Sequence, residues 1–198
     1  MKTTRFFITI CAFCTLVFIS CNKSEQQTEQ QEIVSADSVI VQEQPTPITL
    51  ITDFLRDSIG SQYLQGEICI PCPIVIATDT TAEGTIHVYG DFWVFNYNIS
   101  GDTLINVSGG SHPGCFEIRN DGEQFNIIYF DRTTDGAGFI PSAKRIFGSY
   151  YDKFMSIQSN QEFKEEQRKK STKEYVNQNS LNINYYKDYG WDAISLDK

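Results

Sequence analysis

Apolar residues are distributed along this chain in three distinct ways, each predicting a different kind of structure. Residues 1–20, MKTTRFFITICAFCTLVFIS, place Lys2 and Arg5 ahead of an apolar run that ends at small Ser20. That pattern predicts a secretory signal peptide, because the run is too short and wrongly flanked for a membrane span. Residues 21–46 are rich in Gln, Glu and Ser and hold no aromatic residue. Such a segment buries too little apolar surface to offset its ordering entropy and reads as a flexible tether. Residues 47–198 carry helical and strand periods in turn and read as a single α+β domain.

Within that domain the period identifies the elements. Thr46 can cap a helix, Pro47 suits its first position, and Ile48, Ile51, Phe54, Leu55 and Ile59 recur at helical spacing; Gly66 is expected to end it. From Glu67 to Asp131, β-branched and aromatic runs alternate with turn chemistry at TTAEG, SGD and NDGE. This predicts four long strands in a curved antiparallel meander, over 67–79, 85–99, 103–120 and 123–133. After TTDGAG the helical period returns in PSAKRIFG, SYYDKFMSIQ and SNQEFKEEQRKKSTKEYVNQ. Ser159 and Glu162 stand at capping-box spacing, and Glu165–Lys169 and Glu166–Lys170 are i,i+4 pairs that predict a solvated face. Residues 181–196, LNINYYKDYGWDAISL, alternate enough for a strand or an extended cover.

Charge then narrows the partners. The formal charge is −9, and removing residues 1–20 takes away two cations and no anion, leaving −11. An acidic surface without a Lys/Arg stripe repels phosphate backbones, so nucleic acid is excluded as a partner. Cys21 directly after the apolar run resembles the lipobox of bacterial lipoproteins: Ser20 and Cys21 fit it, while Phe18 and Ile19 depart from it. The resemblance implies lipidation at Cys21, anchorage to a bacterial membrane and exposure to the periplasm or cell surface.

Candidate chemistry gathers at VSGGSHPGC, residues 107–115. Glycine and proline inside a strand favour bulges and bends, so Gly90, Gly109, Gly110, Pro113 and Gly114 predict curvature of the sheet around a helix. Cys69, Cys72, His112 and Cys115 also form a C-x2-C with H-x2-C set of zinc type. In an extended strand residues i and i+3 face opposite sides, which weighs against both a shared metal and a paired redox site. An exported chain favours instead one disulfide, from Cys115 to Cys69 or Cys72, with the remaining sulfur buried. A nucleophilic Cys115 served by His112 lacks an orienting third group. No metal and no cofactor is expected.

The aromatic run HVYGDFWVFNY places His87, Tyr89, Asp91, Trp93, Phe95 and Tyr97 on one strand face and Val88, Phe92 and Val94 on the other. Both faces are apolar at their centre, predicting a strand covered on each side. Tyr89, Asp91 and Trp93, with His112, Tyr129, Asp131 and Arg132 from neighbouring strands, are the candidate lining of a concave pocket between sheet and helix. Asp135 joins Asp131 and Arg132 at the mouth of the following loop.

GDFWVFNY (90–97), SGGSHPG (108–114) and YKDYGWD (186–192) resemble a family of uncharacterised exported bacterial proteins over most of residues 65–196. The layout is also similar to cystatin-like and NTF2-like folds, where a helix lies in a curved antiparallel sheet, although the helices after the meander depart from both. The expectation for function is a membrane-tethered envelope module binding a small molecule or another envelope protein. A hydrolase or transferase built on Asp91, His112 and Asp131 is the alternative, and it requires those side chains to meet in one cavity.

Overall fold

The computed structural model describes residues 45–197; the expected signal peptide, the Cys21 lipidation site and the tether up to residue 44 lie outside the described residues. Thr46 caps helix α1 (Pro47–Phe54), accepting the Thr49 N–H at 3.2 Å. The helix runs on through a π turn (Leu55–Ile59) and a 3-10 turn (Gly60–Gln62), then stops before the expected Gly66. The chain turns extended at Tyr63, and Gly66 lies against the Tyr97 backbone, where any side chain would collide.

The four expected strands form as β1 (Ile68–Thr80), β2 (Thr85–Ser100), β3 (Thr103–Asn120) and β4 (Phe125–Arg132), each antiparallel to the next. The sheet is nevertheless larger than four strands. In the tail, β5 (Tyr185–Lys187) pairs parallel with Thr103–Ile105, and β6 (Ile194–Ser195) pairs with β5, making a mixed six-stranded sheet. Alternation revealed that the tail was extended, but it does not encode which edge a strand joins.

Curvature enters at three bulges. Ile76 is the extra residue of β1, opposite the Gly90–Tyr89 step; Val107 is extra in β3, and Ile128 in β4. Gly90 thus marks a bulge on its partner strand, and Gly109 follows one two residues later. Gly109 has a φ of 149°, and a β-carbon there would run into the Val94 carbonyl oxygen.

Three helices follow: α2 (Phe139–Phe147), α3 (Tyr151–Ser159) and α4 (Gln161–Gln178). Asn160, not Ser159, caps α4, accepting the Phe163 N–H at 3.0 Å, because α3 keeps Ser159 as its own last residue. Along α4, Glu165 lies near Arg168 and Lys170 near Glu174.

Strand alternation divides the core between the two sheet faces as expected. Val88, Phe92 and Val94 join Phe116 and Ile118 under Ile51 of α1 and Leu55 and Ile59 of the π turn. On the opposite face Phe95 and Tyr97 pack with Ile70, Cys72, Leu104, Val176 of α4 and Tyr186 of β5. A third cluster joins Ile76 and Cys115 to Phe147 and Phe154 of α2 and α3, whose rings stack 4.0 Å apart. Among the described residues no helix is long and apolar enough to cross a membrane.

Candidate functional site

Asp91 is fully buried in the middle of β2. Its carboxylate accepts hydrogen bonds from Trp93 Nε1 at 2.7 Å, Ser111 Oγ at 2.5 Å and Gln158 Nε2 at 2.9 Å. Burial pushes its pKa up, while the three donors and the charge of Lys164 oppose the shift. The consequence is mechanical as well as electrostatic: the indole of Trp93 is held at a fixed angle, stacked on Phe95 with ring centroids 5.6 Å apart.

That platform is one wall of an open cavity of about 240 Å³, and α4 forms another. Gln161, Lys164, Glu165 and Arg168 line it, and their i, i+3, i+4, i+7 spacing sets them on one helix face. Arg168 is buried. Its guanidinium lies 4.2 Å from the Phe95 ring centroid and 5.1 Å from that of Tyr186, donates to Tyr97 Oη at 2.9 Å, and makes a two-pronged pair with Asp188 at 2.8 and 2.9 Å. Asn106 donates to Asp188 at 2.8 Å, and Tyr186 Oη donates to Glu165 at 2.6 Å. Arg168 bonding holds the Asp188 carboxyl below its usual range. Arg168 is thereby paired with Asp188, whereas Lys164, which donates from Nζ to the Gln158 carbonyl at 2.9 Å and sits 5.9 Å over the Trp93 ring, forms no ion pair with another described residue.

His112 belongs to the other face. It stands opposite Phe92, and its Nε2 lies 3.0 Å from Tyr63 Oη. Burial and then the Arg132 charge lower its pKa, so the imidazole is held towards its neutral form. With Tyr63, Ser111, Tyr129, Asp131, Arg132 and Asp135 it borders a second, more polar cavity of about 580 Å³.

The single pocket expected from the sequence is therefore two. Asp91 and Trp93 serve the α4 face, and His112 and Arg132 the other; Tyr129 and Asp131 border the same cavity as His112, although their register opposite Glu117 and Cys115 sets them on the Asp91 side of the sheet. Tyr89 borders neither; it packs against Tyr150 and Phe147 beneath α2 and α3. The alternative triad is not assembled: His112 bonds Tyr63, Asp131 is gripped by Arg145 at 2.5 and 2.9 Å, and Asp91 bonds Ser111, Trp93 and Gln158.

Cys69, Cys72 and Cys115 are free thiols, so the expected bridge from Cys115 does not form. Alternation turns Cys69 towards α1 and away from the other two; Cys72 and Cys115 share the opposite face but sit apart along it, under α4 and α2 respectively. Burial raises the pKa of Cys69 and Cys72 to about 11 and of Cys115 to about 12, which suppresses the reactive thiolate. Among the described residues no group of three His, Cys, Asp or Glu side chains is placed to hold a metal ion.

Sequence reading missed Lys164, Glu165, Arg168 and Asp188. Their helical spacing was available, but a polar stripe in a highly charged helix resembles a solvated face. Only the aromatic face of β2 explains why it turns inward. Compared with protein families, curated proteins and solved structures, the chain shows no match in any of the three.

Proposed function

We propose that this protein is an exported, lipid-anchored module of the bacterial cell envelope that binds a ligand or a protein partner through the cavity between β2 and α4. The observation that carries this reading is the Trp93 platform: a fixed indole stacked on Phe95, with Lys164 beside it and the Arg168–Asp188 pair behind. Preorganised aromatic and polar groups of that kind lower the ordering cost of binding. At about 240 Å³ the cavity is smaller than the range usual for drug-sized ligands, so it suits one planar group rather than a whole cofactor.

Tryptophan emission tests the site. The chain has two tryptophans, Trp93 and the exposed Trp191, so a Trp191→Phe variant reports on Trp93 alone. A bound planar ligand is expected to shift its emission and to appear in native mass spectra. If compounds that bind the protein leave Trp93 emission unchanged, the cavity is not the site. The anchor is tested separately: Cys21→Ala is expected to release the protein into the soluble fraction, and membrane retention of that variant contradicts the lipid tether.

A further inference from the structure

The third strand lacks a neighbour along the middle of one edge. β2 flanks β3 from Thr103 to Arg119. On the other side, β5 pairs only with Thr103–Ile105 and β4 only with Gly114–Asn120, with one further bond from Thr133 N–H to the Pro113 carbonyl at 2.9 Å. Asn106 to His112 have no strand partner there among the described residues. Seven residues of strand span about 23 Å, and every one of them is partly accessible.

A strand edge presents outward-pointing N–H and C=O groups and is a template for another extended chain. This fold guards its outer edge at β1, where Pro71 and Pro73 remove donors and α4 packs alongside. The open stretch of β3 has no proline between residues 106 and 112 and no strand along it; Tyr63 lies over Gly110 and Asp188 bonds the Asn106 side chain, but neither pairs with its backbone. It also runs between the two cavities. Asn106, Gly109 and Gly110 border the Trp93 cavity towards one end of the stretch, while Ser111, His112 and Pro113 border the His112 cavity towards the other.

Successive side chains of an extended peptide point to opposite faces of a sheet. A segment laid in this gap would send one side chain towards Trp93 and the next towards His112. We infer that β3 takes up an extended segment of a partner protein by strand addition. An aromatic side chain would lie on the Trp93–Phe95 platform and a carboxylate, an odd number of residues away, would reach Arg132. Charge favours the carboxylate: Arg132 is exposed and has no ion pair with another described residue, and the adjacent Asp131 is already held by Arg145. Asp135, which borders the same cavity, confines the acid to the Arg132 end. Main-chain bonds would supply affinity and the paired cavities specificity.

Strand addition rests on the binding-module reading, and a separate experiment tests it. Purified full-length protein is used to select from a phage-displayed random heptapeptide library, and recovered peptides are resynthesised for fluorescence anisotropy. The expected peptides combine an aromatic residue with an acid at odd spacing. N-methylation of alternate peptide amides should weaken binding by about tenfold or more, with little effect at the amides between. Arg132→Ala, an exposed change that leaves the core intact, should weaken acid-bearing peptides about tenfold and leave their acid-to-alanine versions unaffected. Strand addition is overturned if no peptide is enriched, or if N-methylation shows no alternation. A small molecule that shifts Trp93 emission while no peptide binds overturns it too, yet leaves the binding-module reading standing.

Discussion

Arg168 shows how a single buried charge organises this molecule. It joins α4 to β2 through Tyr97 and to the tail through Asp188, all inside an aromatic cage. Arg168→Met keeps much of the apolar volume but leaves Asp188 and Tyr97 without their donor. A loss of about 3 kcal/mol in urea unfolding is expected, against less than about 0.5 kcal/mol for the exposed Lys170→Met. Asp91 makes a prediction in pH. Its folded pKa is raised above the unfolded value, so its contribution is most favourable below the unfolded pKa and is lost as pH rises through the folded one. The stability of the wild type relative to Asp91→Asn is therefore expected to improve as pH is lowered from 7 towards 4. A difference that stays constant, or moves the other way, would show that Asp91 is not held as a costly buried anion.

At the scale of elements, Gly109 tests why the strands bend where they do. With φ at 149° and the Val94 carbonyl in the way of any side chain, Gly109→Ala is expected to cost about 1–3 kcal/mol in thermal or urea unfolding. A neutral outcome would mean that the bulge at Val107 can move. Elements with a strong local signal were legible in the sequence. Helix α1 was readable from Thr46-Pro47 and its apolar spacing, and β1 to β4 from alternation between turn residues. The two faces of β2 were legible for the same reason, and that put Asp91 and Trp93 together correctly. What depends on long-range pairing was not legible. The parallel docking of Tyr185–Lys187 on β3, the inward turn of the charged α4 and the division of the expected pocket into two all follow from which faces meet in three dimensions. His112 illustrates the limit: its neighbour Ser111 bonds Asp91, while its own ring goes to the opposite face and Tyr63.

At the scale of the whole molecule, both cavities and the open edge of β3 converge on one strip. Trp93 and α4 lie on one face, Tyr63 and Arg132 on the other, and the uncovered edge of β3 runs between them. Mutually supporting contacts hold both walls, so the strip is expected to be rigid before any partner arrives. Its exposed cation, Arg132, stands out against an overall charge of −9, which predicts that binding of acid-bearing peptides weakens as salt screens that contact. Hydrogen exchange of the full-length protein, read residue by residue, tests the bare edge most directly. Outward-pointing amides between Asn106 and His112 are expected to exchange orders of magnitude faster than the paired amides of Phe116 and Ile118 in the same strand. Uniform protection from Thr103 to Asn120 would mean that the edge is already covered, and would contradict the account.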